Sequence, residues 1–448
     1  MKRNIIAITL LSVIVTSCGK KLDLLPQQSV AEEVALSSDA NVKKVLNGAY
    51  DAVSDGDLYG GNILLFSELL AADDEIRWEG TFNQPREVWL KSMLTTNSFV
   101  RDTWLEAYDV INITNNIIGA INVVKAADQN RVKGEALFLR GAMYFELVKL
   151  FAKPYSAGAT TTNPGLPLVL TPTRGIDQNS YVARNTVEQT YAQIIADLTE
   201  AENLLPNNNS VFASKFVAAG MLSRVYLQME KYPEARDAAN RAITIATTAG
   251  KSLAGSYASV FNNSSNSSEY LFAMQVSAQD GTNSMHTYWS IPAYGGRDGD
   301  VSIDASHLAL YTAGDARLAL FYVGAGETRS GKWQQQYKVL PIMRLAEMYL
   351  TRAEANFRAG TAVGATPVAD YNRTHQRAGW LPAVTVTLAD ILLERKLELA
   401  HEGHAIADLK RLKLSADGFA YNANEMVFPI PQREVDASRG VITQNAGY

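Results

Sequence analysis

The stretch Ala219-Gly220-Met221-Leu222-Ser223-Arg224-Val225-Tyr226, followed by Tyr232, Ala235 and Ala242, decides the fold. Its small and aromatic residues recur at the spacing of a repeated helix pair. Pro233 opens the second helix of that pair, where its missing N–H costs nothing. Arg344-Leu345-Ala346-Glu347 through Ala355 begins another pair, with Ala369, Tyr371 and Asn372 in the partner helix. The apolar stripe from Ala136 to Leu150 finds its partner in Thr186 to Leu205, across a long insertion. The spacing between pairs is irregular, so the expectation is a right-handed stack of helix pairs with functional loops inserted, not a plain solenoid.

Further helices lie on either side of this frame. Val42, Val45, Leu46, Ala49, Tyr50 and Val53 recur at three and four, after a capping Ser37-Ser38-Asp39. Trp104, Tyr108, Ile111, Asn115, Ile118 and Ile121 form a second such stripe. Residues 54–61 and 73–86 read as loops. The stretch from Ser252 to Arg329 is rich in Asn, Ser, Gly and Tyr, with one strand-like run at Tyr270 to Val276. Loops of that length in compact proteins are usually functional or disordered, and Tyr288, Trp289 and Tyr294 argue against disorder. The predicted fold class is therefore mainly α, with tetratricopeptide-type helix pairs, long inserted loops and minor β structure.

The N-terminus reads as a secretion signal. Lys2 and Arg3 precede an apolar run from Ile5 to Val15 that is too short to span a bilayer. Val15-Thr16-Ser17-Cys18 then resembles the lipobox at which a signal peptidase cuts before a cysteine that becomes acylated. Cys18 is the only cysteine among 448 residues. A free thiol is a liability in an oxidising compartment, which favours a lipid anchor, and no disulfide can form. Residues 19–31 read as a tether between lipid and body. The expected division is a signal peptide at 1–17, a helical region at 18–250 and a loop-bearing region at 251–448. A net charge of −5 and a pI near 5.7 provide no basic field for a phosphate backbone, so nucleic acid is not an expected partner.

Several segments in this order resemble the SusD/RagB family of outer-membrane nutrient-binding lipoproteins. They include the start from Cys18 to Pro26, the helix Phe138-Leu139-Arg140-Gly141-Ala142-Met143-Tyr144-Phe145, and Asp197-Leu198 with Ala201-Glu202. Ala219 to Ala242, Arg344 to Ala355, Arg377-Ala378-Gly379, Glu394-Arg395 with Glu402-Gly403, and Phe428-Pro429-Ile430-Pro431 continue the series. The resemblance covers nearly the whole mature chain. It departs at Ser438-Arg439-Gly440, where the family often has an Asn-Pro turn, and at Val15 in the lipobox. It implies a tetratricopeptide-bearing scaffold, anchored at the cell surface, that lids a TonB-dependent porin of the SusC type and delivers oligosaccharides, or sometimes peptides, to it.

Catalysis finds little support in the sequence. Glu394, Glu398 and Glu402 stand four apart, which would place three carboxylates on one helix face, and glycoside hydrolysis needs a carboxylate pair. Arg395, Lys396, Lys410 and Arg411 are near enough to pair with them, as on an ion-paired face. The resemblance assigns that helix a structural role. His401-Glu402-Gly403-His404 lacks the i, i+4 histidine spacing of the zinc-protease motif, and a glycine interrupts it. No metal, cofactor or catalytic residue is expected.

Aromatics in polar loops remain. A Trp or Tyr ring can lie over the C–H face of a sugar, with polar neighbours serving the hydroxyls. Trp104 and Trp380 fall within or beside helical patterns and read as core, and Trp333 reads as packing. Trp78 with Arg77, and Trp289 with Tyr288, Tyr294 and Arg297, fall in glycine-containing polar loops. These six are the candidate ligand residues, with Trp78 and Trp289 expected on one open platform. The rival expectation places a peptide or protein partner in the concave groove of the helix pairs.

Overall fold

The computed structural model describes residues 32–175 and 180–448. The signal segment, Cys18 and the tether up to residue 31 lie outside the described residues. Helix α1 (Asp39–Val53) begins where the Ser38 side chain accepts the Asn41 N–H, and it buries Val42, Leu46, Ala49 and Val53. Helix α2 (Asn62–Leu70) is buried at every position. After β1 (Ile76–Trp78) and α3 (Asn83–Trp89), the long helices α4 (Ser98–Gly119) and α5 (Ala126–Phe151) form the first antiparallel pair.

The second half of α5 is buried almost all round, as befits a helix apolar on every side. It packs against α6 (Val187–Leu204), the partner expected from the sequence. Gly141 lets them approach, since a Cβ there would stand 3.0 Å from Leu198 Cγ. Arg140 locks the crossing: it donates to both Asp197 oxygens at 2.8 and 2.6 Å and to Asn115 Oδ1 of α4 at 2.8 Å.

Helices α7 (Lys215–Gln228) and α8 (Tyr232–Thr248) are the pair read from Ala219 to Ala242. Ala235, Ala238, Ala239, Ala242 and Ala246 form a small-residue buried face on α8. Arg224 of α7 reaches Glu347 at 2.7 and 2.6 Å, tying this pair to the next.

Residues 252–329 are a patchwork of short ordered pieces, which corrects the expectation of a long loop with one strand. Strand β2 (Tyr270–Met274), helix α9 (Ser284–Trp289), strand β3 (Val301–Ile303) and the hairpin β4 (Phe321–Gly324) to β5 (Glu327–Ser330) follow in order. The hairpin turns through Ala325 and Gly326 at φ of 53° and 85°, the left-handed pair that a tight hairpin requires. Strand β6 (Leu340–Arg344) pairs with β2, while β3 pairs with β1 in the register Ile76↔Ile303 and Trp78↔Val301. Residues 73–86 are thus no simple loop either. The β1–β3 and β2–β6 ladders close over a distance in sequence that short-range patterning does not report.

Helices α10 (Leu345–Ala359) and α11 (Pro367–Arg377) form the later pair, followed by α12 (Leu388–Leu399) and α13 (Ala405–Arg411). Helix α12 stops at Leu399, and His401 turns the chain at φ 64°, so Glu402 does not share a helix face with Glu394 and Glu398. Their partners also differ from those expected. Arg344 meets Glu402 at 2.6 Å, Glu398 at 2.9 Å and Glu269 at 2.6 Å, all buried. Lys332 holds Glu402 at 2.6 Å, and Arg317 holds Glu394 at 2.9 Å. Arg395 and Arg411 go to Asp408, and Lys396 goes to Glu75. Buried carboxylates need such partners, because desolvation otherwise costs several kcal/mol per ion. The main core cluster runs from Val42 to Ile442, and Trp104 and Trp333 belong to it.

Candidate functional site

Two segments singled out in the sequence meet across the β1–β3 ladder. Side chains alternate along a strand. Ile76 and Trp78 therefore point inward, 4% and 1% exposed, while Arg77 between them points out. Arg77 pairs with Asp304 at 2.7 Å and with Glu327 of the β4–β5 hairpin at 3.2 Å. The Trp78 indole N–H donates to Phe82 O at 3.0 Å, and its ring stands edge-on 5.5 Å from Tyr288. Tyr288 in turn lies 6.4 Å from Phe82.

Phe82, which the sequence reading missed, is 39% exposed. The Arg297 guanidinium lies 4.1 Å from the centre of its ring. Arg297 also holds Asp300 Oδ1 at 2.6 Å and donates to the Thr81 hydroxyl. Burial pushes the Asp300 carboxyl up, against the downward pull of Arg297. The signal for Phe82 was available: an aromatic in Gly80-Thr81-Phe82-Asn83 is of the same kind as those in Tyr288 to Arg297.

Tyr294 is 41% exposed and meets the half-buried Tyr322 of β4 at 5.6 Å, ring perpendicular to ring. Gly295 follows it at φ 84°, and its carbonyl accepts from Gln336 Nε2 at 2.9 Å, which fixes the turn that presents the ring.

Trp289 stands apart from this group. It is fully buried, with its ring 5.0 Å from His401, which lies 4.7 Å from His307. The expectation that Trp78 and Trp289 form one open platform is therefore corrected: both indoles are enclosed. Trp78 occupies an inward strand position, and Trp289 follows Met285 by one turn on the inner face of a helix capped by Asn283. Tyr288 is also largely enclosed, at 9% exposure. The open rings are Phe82 and Tyr294, with Arg77, Arg297 and Glu327 supplying polar groups on the same short elements.

Among the described residues no cluster of three or more His, Cys, Asp or Glu could hold a metal ion. His401 and His404 are held neutral by burial, which lowers both well below the usual histidine range. No described helix is long and apolar enough to cross a membrane.

Comparison with known proteins follows the same lines. Residues 20–227 match the family profile described as "Starch-binding associating with outer membrane", and residues 311–427 match the "SusD family" profile. SusD-like protein P2 of Formosa agariphila is 24% identical, with both chains covered in full. Starch-binding protein SusD of Bacteroides thetaiotaomicron is 35% identical over 124 residues, 24% of this chain and 21% of that one. A SusD superfamily protein of Bacteroides thetaiotaomicron superposes with a TM-score of 0.82 at 25% identity, covering 91% of this chain and 99% of the other. With two family profiles matched in order along the chain and a SusD superfamily structure superposing over nearly all of it, the chain belongs to the SusD/RagB family.

Proposed function

We propose that this chain captures oligosaccharides at the bacterial surface, held by a lipid on Cys18, and passes them to a SusC-like TonB-dependent porin. The observation that carries this reading is the pair of exposed rings Phe82 and Tyr294, the latter against half-buried Tyr322, on short elements of a helical body that also carry Arg77, Arg297 and Glu327. Rings of that kind cover the apolar face of a sugar, while guanidinium and carboxylate groups meet its hydroxyls. Trp78 and Tyr288 act from beneath by positioning Phe82, Trp78 through its bond to the Phe82 carbonyl. The starch-binding relative supports the ligand class, and the outer-membrane family profile supports the location. Binding without hydrolysis is consistent with Glu394, Glu398 and Glu402, which are all committed to buried cations.

Calorimetric titration with soluble polysaccharides tests the site. Tyr294→Ala and Phe82→Ala are each expected to weaken binding about tenfold, the loss of roughly one ring stacking contact. Both variants should fold, with thermal unfolding nearly unchanged in Tyr294→Ala and modestly lowered in Phe82→Ala, whose ring also packs on Phe99 and Tyr288. Undiminished affinity in both variants contradicts the assignment.

A further inference from the structure

A cavity of about 510 Å³ lies away from the open rings, between the C-terminal end of α2, the outer face of α12 and helix α13. Its size falls within the range of small-molecule sites. Leu392, Leu393, Leu399, Leu409, Leu412 and Leu414 dominate the wall, and no Phe, Tyr or Trp is part of it. The rings in this wall are the imidazoles of His307, His401 and His404, and its leucine-rich surface suits an alkyl chain. Leu393 and Leu414 are 43% and 53% exposed at the rim, so the apolar lining reaches the solvent.

The cations in the wall all have carboxylate partners, so an anionic occupant would have to compete for them. Arg395 is matched by Asp408, Arg411 by Asp408 and Glu354, Arg358 by Glu354, and Lys396 by Glu75. No cation is left over for a carboxylate or phosphate. Two lining residues keep polar atoms without a partner: His401, whose buried ring nitrogens bond to nothing among the described residues, and Glu68, only 6% exposed. Its Oε1 accepts the backbone N–H groups of Gly403 and His404 at 2.8 and 3.1 Å, while Oε2 has no partner among the described residues.

We propose that this cavity is a second binding site, separate from the aromatic face, for an uncharged aliphatic molecule whose hydroxyl or amide head meets Glu68 Oε2. Burial holds the Glu68 carboxyl up at about 7, so near neutral pH a substantial fraction of it carries a proton and offers both a donor and an acceptor. A hydroxyl or primary amide matches both.

The test is ligand-observed NMR titration of the full mature protein with 1-octanol, octanoate and octylammonium. The expected result is saturable binding of 1-octanol, with octanoate and octylammonium at least tenfold weaker. Ala72→Phe, which fills the wall, and Leu414→Glu, at an exposed rim position that folding tolerates, should each weaken 1-octanol at least tenfold. Absence of saturable 1-octanol binding, equal or tighter binding of either ion, or unchanged affinity in Leu414→Glu overturns the proposal.

Discussion

Single residues carry two separable consequences. Glu68 is buried with its carboxyl raised from 4.5 to about 7. A carboxylate raised in the folded state favours folding most when protonated, so its contribution is full below the unfolded value and declines as pH rises from about 4.5 to about 7. A shift of this size corresponds to roughly 3 kcal/mol. Glu68→Gln, which keeps an acceptor for the Gly403 and His404 N–H groups, should flatten that part of the stability profile. Urea unfolding at stepped pH reads it, and an unchanged slope would show that Glu68 is ionised throughout. Trp78 makes the complementary case. Trp78→Phe keeps an enclosed ring but loses the bond to the Phe82 carbonyl, worth about 1 kcal/mol. The predicted outcome is a modest stability loss together with weaker glycan binding, because Phe82 loses its support. Stability loss without any binding change would leave Trp78 with packing alone.

At the scale of elements, what was legible depended on how locally each element is determined. Helix pairs were readable from Ala219 to Ala242 and from Arg344 to Ala355, since repeating apolar and small residues mark a helix face within one or two turns. The Ser38 cap was readable for the same reason. The partners of Glu394, Glu398 and Glu402 were not, because Arg317 and Arg344 arrive from over fifty residues away and no local spacing announces them. Trp78 was misread because its strand has three residues, too few for alternation to stand out, and Trp289 because its helix has six. Arg77, Tyr294 and Arg297 were found at or near the surface, where polar and glycine neighbours do indicate exposure. The Arg140–Asp197 pair provides the element-scale prediction. Arg140→Ala leaves Asp197 buried without its cation and should cost about 3–5 kcal/mol. Chemical denaturation measures this, and a loss below 1 kcal/mol would show that α5 and α6 hold together without the pair.

For the whole molecule, a main core cluster from Val42 to Ile442 forms a body on which short strands and turns present Phe82 and Tyr294. That arrangement suits capture, since binding groups gain precision from a scaffold that does not move. The anchor is tested in cells: Cys18→Ala should shift the protein from the membrane fraction to the soluble fraction, and an unchanged distribution would remove the lipid from the account. The central claim, that this body binds a glycan through its open rings, is tested most directly by affinity electrophoresis of the mature protein in native gels cast with a panel of polysaccharides. The account predicts retardation by at least one polysaccharide and its loss in the Phe82→Ala, Tyr294→Ala double variant. Unretarded migration in every gel, or retardation that survives both substitutions, would contradict it.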